Sequence, residues 1–319
     1  MAQIGTDIAV AKKILEQGDL VGIPTETVYG LAGSAFDQQA VTKIFKVKNR
    51  PFFDPLIVHT YAWEQVTTFC YDIPKLALQL AANFWPGPLT LLLKRKDIIP
   101  DLVTAGSERV AVRVPKHPLT LDLLEHLDFP LAAPSANPFG YISPTTAQHV
   151  QDQLGEQISY ILDGGSSEVG LESTIIGFDQ KERPELYRLG GMSVETIELL
   201  TGELVNKIQS GSDPEAPGML EKHYAPKKVF KVGTIDALLP NYSSDEVALL
   251  AWDKYRKEVK PAHQIVLSEH SDLEEAAQKL FSALRELDSL PVQTILADWV
   301  PNEGLGKAIN DRLRRAAAQ

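Results

Sequence analysis

The feature that most restricts how this chain can fold is a pattern that occurs twice. Leu20-Val21-Gly22-Ile23 runs into Pro24-Thr25-Glu26-Thr27-Val28-Tyr29-Gly30, and Leu131-Ala132-Ala133 runs into Pro134-Ser135-Ala136-Asn137. Each begins as a short apolar run, the length of a strand buried on both faces, and is ended by a proline that cannot continue a ladder. Each then leaves hydroxyls at the carboxyl end of the strand, where open α/β sheets place their ligands. Two strands ended this way predict neighbours that deliver hydroxyls to one rim.

Helical segments are threaded between further runs of this kind. Asp7 caps a helix with Ile8, Ala11, Ile14 and Leu15 on its apolar face and Gly18 as its stop. Asp37 caps a second, carrying Val41, Ile44 and Phe45, whose exit holds Lys46, Lys48 and Arg50. Lysines in a last turn complement the helix dipole, so the plain reading is a solvated helix end; three cations in five residues also suit an anion pocket. Leu56–His59, Leu89–Leu93, Val110–Val114, Tyr160–Leu162, Glu172–Gly177 and the run ending at Arg188 read as strands, with helices near 62–69 and 74–84. His59 ends its strand, a position where histidine is usually structural. Arg113 lies among Val110, Ala111, Val112 and Val114, which favours a partly buried guanidinium held for an anion. Ser143-Pro144 reads as cap and first position of a helix with Ala147, Val150 and Leu154 turned inward; a simple cap and an anion site weigh equally there.

Periodicity fades over 206–227, which reads as a linker whose distal end, Pro217–Pro226, is rich enough in Met219, His223 and Tyr224 to dock on something. Beyond it, strands at Val229–Val232, Val247–Trp252, Gln264–Leu267 and Thr294–Ala297 alternate with a helix opened by a Ser271–Glu274 capping box. A final helix near 306–317 carries Arg312, Arg314 and Arg315. This last third reads as a small Rossmann-like α/β unit of accessory role, and a length of 319 residues suits two domains.

Charge and cysteine usage remove several function classes. A formal net charge of −11, carried mostly by the first two thirds, argues against strong non-specific binding to nucleic acid or an anionic membrane. Cys70 is the only cysteine, so no intramolecular disulfide forms and a reducing compartment is expected. No apolar run approaches the ~18 residues of a membrane span and no secretory leader is visible, so the expected location is cytoplasmic. The sequence contains no GxxxxGK[ST], no GxGxxG after a strand, no HExxH, no GxSxG and no metal-ligand spacing. Chemistry on a nucleotide must therefore use scattered cations, hydroxyls and backbone amides.

Taken in order, Pro24–Gly30, Lys48-Asn49-Arg50-Pro51, Pro55–His59, Phe84–Thr90, Val112–Pro115, Ala133–Asn137, Ser143-Pro144-Thr145, Ser173-Thr174-Ile175, Arg188-Leu189-Gly190 and the linker motif resemble the threonylcarbamoyl-AMP synthases. This is the YrdC-like family, here in its long form. The resemblance implies an α/β fold: an open, twisted mixed sheet with flanking helices over 1–205, a linker at 206–227 that covers the active site, and a smaller Rossmann-like C-terminal domain at 228–319. It implies condensation of L-threonine, bicarbonate and ATP to threonylcarbamoyl-AMP and pyrophosphate, the adenylate passing to tRNA-modification machinery.

Carried over by position, Thr27, His59, Arg113, Ala133 and Ser173 are expected to hold threonine. Arg50, Asp54, Arg109, Ser135, Ser143 and Arg188 are expected to line the nucleotide site, and Tyr224 to close over it with His223 as its alternate. Lys48 and Arg50 are the expected catalytic pair, neutralising charge as an N-carboxylated threonine approaches the α-phosphate. Mg²⁺ is expected to come with ATP, with no metal site on the protein. The family usually has Asn where this chain has Asp54; a carboxylate there should meet Mg²⁺ or a ribose hydroxyl, or point away, and Asp54→Asn should leave turnover intact or improve it. Two other classes stay open: a non-catalytic RNA-binding module, and a carbamoyl-adenylate former for another substrate.

Overall fold

The computed structural model describes residues 1–208, 216–219 and 223–318. Parts of the expected linker, 209–215 and 220–222, lie outside the described residues. In chain order the strands are β1 (Gln3–Gly5), β2 (Val21–Ile23), β3 (Gly30–Ser34), β4 (Ile57–His59), β5 (Leu89–Lys94), β6 (Arg109–Arg113), β7 (Leu131–Ala132), β8 (Tyr160–Leu162), β9 (Thr174–Phe178), β10 (Pro184–Arg188) and β11 (Val205–Asn206). They form one sheet, ordered β1-β8-β2-β3-β7-β4-β6-β5-β9-β10-β11. Parallel pairs such as β4 with β6 and β5 with β9 alternate with antiparallel ones such as β5 with β6 and β9 with β10, so the sheet is mixed. A second sheet, wholly parallel, follows: β12 (Val229–Gly233), β13 (Val247–Ala251), β14 (Gln264–Val266) and β15 (Thr294–Asp298), ordered β12-β15-β13-β14.

Side-chain capping explains where five of the eleven described α-helices begin. Asp7 and Asp37 each accept a bond from the backbone two residues on, at 2.8 Å. Two expected caps are corrected. Thr146, not Ser143, caps the helix Ala147–Leu154, because Ser143 turns its hydroxyl inward. Asp272, not Ser271, caps Leu273–Ser289, since a carboxylate can bond both Glu274 and Glu275 amides. The two strand–proline repeats are also not neighbours. β3, whose two glycines hid it from a periodicity reading, lies between β2 and β7.

Burial separates the molecule into packed layers. One core, with Tyr29, Ile44, Phe45, Phe69 and Leu91, lies under helices on one face of the large sheet; another, with Leu15, Ile23, Leu123 and Tyr160, lies on the opposite face. A third core packs the second sheet and helix Leu273–Ser289 against Val28, Ile142, Leu171 and Tyr224, so the two α/β units share apolar contacts. The Ala62–Val114 side has a shallow apolar groove, and no described helix is long and apolar enough to cross a membrane.

Candidate active site

The sheet gathers its chemistry at one edge. His59 and Arg113 end the parallel strands β4 and β6 in matched register. Antiparallel β5 begins beside them, parallel β9 begins after Ser173, and Arg188 ends β10 against Ile175. The loop between β2 and β3 folds back on itself: the Thr25 hydroxyl donates to the Val28 carbonyl at 2.6 Å and receives the Thr27 amide at 3.2 Å. That turn aims Thr27 at Arg113, whose Nη1 donates to its hydroxyl at 2.8 Å.

One cavity occupies this rim. Thr27, His59, Arg113, Ala133 and Ser173 line it, as do Arg50, Ser135, Arg188 and Tyr224, so a guanidinium from each expected subsite faces a shared space. The cavity holds about 50 Å³, room for a few waters rather than for a nucleoside triphosphate. Pro217, Gly218, His223 and Tyr224 form its roof.

The end expected to take the amino acid is built from strand ends and the β2–β3 loop. Arg113 is buried. Its Nη2 pairs with Glu26 at 2.6 Å and its Nε donates to the Gly87 carbonyl at 3.1 Å. With Thr27 on Nη1 and Gly87 on Nε, two of its five N–H groups donate hydrogen bonds, while Nη2 faces the Glu26 carboxylate as an ion pair and the others remain for a ligand. His59 is pushed down to about 3, by burial first and then by the neighbouring Arg113 charge, so its imidazole is neutral at physiological pH. Its buried Nδ1 has no hydrogen-bond partner among the described residues, and its ring lines the cavity. Ser173 shares a hydrogen bond of 2.6 Å with Thr90 and accepts from Arg188 Nη2 at 3.1 Å, placing it at the seam between the two ends.

The nucleotide end is more mixed. Asn49, in the left-handed conformation at φ +51°, ends its helix and turns Arg50 inward. Arg50 donates to the carbonyls of Asp54 at 3.0 Å and Pro55 at 2.7 Å, and pairs with the Asp54 carboxylate at 3.0 Å. Arg188 donates to the Ser173 carbonyl and to the Pro217 carbonyl, each at 3.0 Å. Tyr224 sits at φ +65° and stacks on Phe281 with centroids 5.5 Å apart. Gly218 lies beneath it at φ +77°; a Cβ there would come within 3.0 Å of Arg188 Nη1.

Five expected residues take other places. Lys48 does not line the cavity: its ammonium donates to the carbonyls of Ser135 at 2.6 Å and Asn137 at 2.5 Å, so it fixes the Ser135 loop. Burial pushes its pKa well below the usual lysine value. Lys46 is exposed on the other side of the same helix. Asp54 stands behind Arg50, outside the cavity lining, and burial raises its pKa against the pull of Arg50. Ser143 is fully buried and donates to Glu172 at 2.6 Å. Arg109 starts β6, four residues and about 13 Å from Arg113, and donates to the Tyr187 hydroxyl at 3.0 Å in a different cleft. A strand-end register argument separates Arg109 from Arg113, and motif order alone did not.

Glu172 and Gly218 line the cavity and were not singled out in the sequence. Glu172 carries a readable signal, an acidic residue followed by the hydroxyls of Ser173 and Thr174 where a strand opens. Among the described residues no group of three or more His, Cys, Asp or Glu could hold a metal.

A mixed sheet whose rim gathers guanidiniums, hydroxyls and a neutral imidazole around one small cavity suits an enzyme acting on small anionic substrates, a class that includes the ATP-using, adenylate-forming transferases. The comparisons narrow it. A family model described as telomere recombination, spanning Sua5, YciO and YrdC proteins, matches residues 13–190, and one described as the threonylcarbamoyl-AMP synthase C-terminal domain matches 192–318. The chain is 39% identical to a threonylcarbamoyl-AMP synthase of Pyrococcus abyssi over 97% of its own length and 94% of the relative's. It is 38% identical to one of Bacillus subtilis over 97% and 92%. Its structure is similar to that of P. abyssi Sua5 complexed with L-threonine, with a TM-score of 0.92, 37% identity and coverage of 99% and 97%. The chain belongs to the Sua5/YrdC family of threonylcarbamoyl-AMP synthases.

Proposed function

We propose that this chain joins L-threonine, bicarbonate and ATP into threonylcarbamoyl-AMP and pyrophosphate in the rim cavity, and that tRNA-modification machinery consumes the adenylate. The observation that carries the reading is the convergence of Thr27, His59, Arg113, Ala133 and Ser173 with Arg50 and Arg188 on one space. Threonine sits on strand ends, its carboxylate on the uncommitted Arg113 N–H groups and its polar side on neutral His59 and Thr27. The amine takes up bicarbonate, losing water, to give a carbamate. A carbamate oxygen then bonds the α-phosphorus as the bond from that phosphorus to the β-bridging oxygen breaks, and pyrophosphate leaves.

Arg50 and Arg188 are placed to offset the charge that gathers when two anions meet, and positioned charge in a dry site is the larger part of such catalysis. Asp54 holds Arg50 and Lys48 holds the Ser135 loop, so both act through a neighbour. The nucleotide enters as MgATP, since the carboxylates near the cavity are engaged by Arg50, Ser143 and Arg312. The narrowness of the cavity implies that the roof formed by Pro217, Gly218, His223 and Tyr224, within a 206–227 linker between domains 1–205 and 228–319, lifts to admit it. A cytoplasmic location suits the reaction, whose product is used on tRNA.

A pyrophosphate-release assay with threonine and bicarbonate omitted in turn tests this. Release that needs both supports it. Release that ignores threonine, or steeply salt-dependent tRNA binding without turnover, overturns it in favour of another adenylate former or an RNA-binding module.

A further inference from the structure

The helix Gly306–Ala317 carries a charge where its pattern calls for none. Arg312 falls on the stripe of Ala308, Ile309 and Ala316 and is fully buried. Its guanidinium reaches out of the C-terminal domain: Nε donates to Glu172 Oε2 at 2.9 Å and Nη2 to the Leu189 carbonyl at 2.8 Å. Its central carbon stands 5.1 Å from the centre of the Tyr224 ring. Asp311 holds Nη1 at 2.8 Å and also takes Arg315 Nε at 2.9 Å, and the Arg315 carbonyl accepts the His223 amide at 3.5 Å. Arg314 approaches Asp311 only to 4.0 Å, from the exposed side. This network of buried carboxylates and guanidiniums meets the cavity twice, at Glu172 in its wall and at His223–Tyr224 in its roof.

Glu172 is a carboxylate in the wall of a cavity that must receive an anion. Ser143 satisfies one of its oxygens and Arg312 the other. Stripped of its cation in a low-dielectric site, it would repel phosphate and compete for Arg188. We infer that Arg312, supplied by the C-terminal domain, is a positioning residue for the nucleotide: it cancels the Glu172 charge in the cavity wall and backs the Tyr224 ring in the roof. This rests on the function proposed above and gives the C-terminal domain a task inside the active site.

The test uses the full chain as wild type, Arg312→Met, Glu172→Gln, their double variant, and Tyr141→Phe. The last deletes another cross-domain bond, the 2.7 Å contact from the Tyr141 hydroxyl to Asp288, without touching Glu172. KM for ATP, KM for threonine and Tm are measured for each. Arg312→Met is expected to raise KM for ATP about tenfold or more while KM for threonine stays within about threefold. Adding Glu172→Gln removes the stranded charge and recovers most of that loss, whereas Tyr141→Phe lowers Tm and moves neither KM. If Arg312→Met does not fold, Arg312→Gln takes its place in the same cycle. A loss shared equally by both substrates, a change in Tm alone, or a double variant no better than the single one overturns the inference. A wild type that releases no pyrophosphate with threonine overturns instead the function beneath it.

Discussion

The two ends of the cavity are built differently. The end expected to take the amino acid is made by strand termini of one sheet and a single loop folded on the Thr25 hydroxyl, and every residue expected there lines the cavity. The nucleotide end is assembled from a helix exit, a strand end, a roof and, behind them, the C-terminal domain. Half of the residues expected there turn out to support others. Local pattern determines what a strand end presents, because alternation and register leave it few choices. It does not determine which partners a long cationic side chain finds across the fold.

The largest effect that would sharpen this contrast is expected from Arg113→Ala. Losing the fork removes threonine's carboxylate partner and strands Glu26, a cost of about 3–5 kcal/mol for a broken buried pair. Threonine-dependent pyrophosphate release should fall more than a hundredfold, and calorimetry without ATP should detect no threonine binding. Undiminished binding would break the assignment of that end. Next comes Arg188→Met, expected to raise KM for ATP about thirtyfold, equivalent to about 2 kcal/mol, while threonine affinity without ATP changes by less than threefold. A matching loss of threonine affinity would mean that the two ends are one unit.

Acid should strike both ends. His59, held near 3, and His223, held well below the usual value by burial and then by Arg50 and Lys48, are neutral in the fold. The unfolded chain takes those protons near 6.5, so stability is full above that pH and is lost as pH falls from there toward the folded values, by up to about 1.4 kcal/mol per unit for each histidine. Tm measured from pH 7.5 to 4.5 should be flat and then decline, with a shallower decline in His223→Asn. A Tm that rises on acidification would contradict the buried neutral state. The smallest effect belongs to Arg109→Met, which should leave both KM values within twofold and cost about 1 kcal/mol of stability through the Tyr187 bond.

Much of the fold was readable because its apolar runs are short, ended by proline or glycine, and opened by Asp or Ser caps. β3 was not, since Gly30 and Gly33 carry no alternation to read. Ser143 was misplaced as a cap because a buried hydroxyl and a capping one look alike until a partner such as Glu172 is known. Arg312 gave the clearest unread sign, a charge on an apolar stripe, which a helix tolerates only when a distant acid answers it.

The pairing of Glu26 with Arg113 has a consequence for discrimination among amino acids. Because Glu26 already offsets the Arg113 charge, that guanidinium draws in a free amino acid little by long-range attraction, and raising ionic strength has little there to weaken. Serine, valine and threonine must then be told apart by whether a methyl and a hydroxyl each find their own contact, so fidelity at this end is a matter of contour.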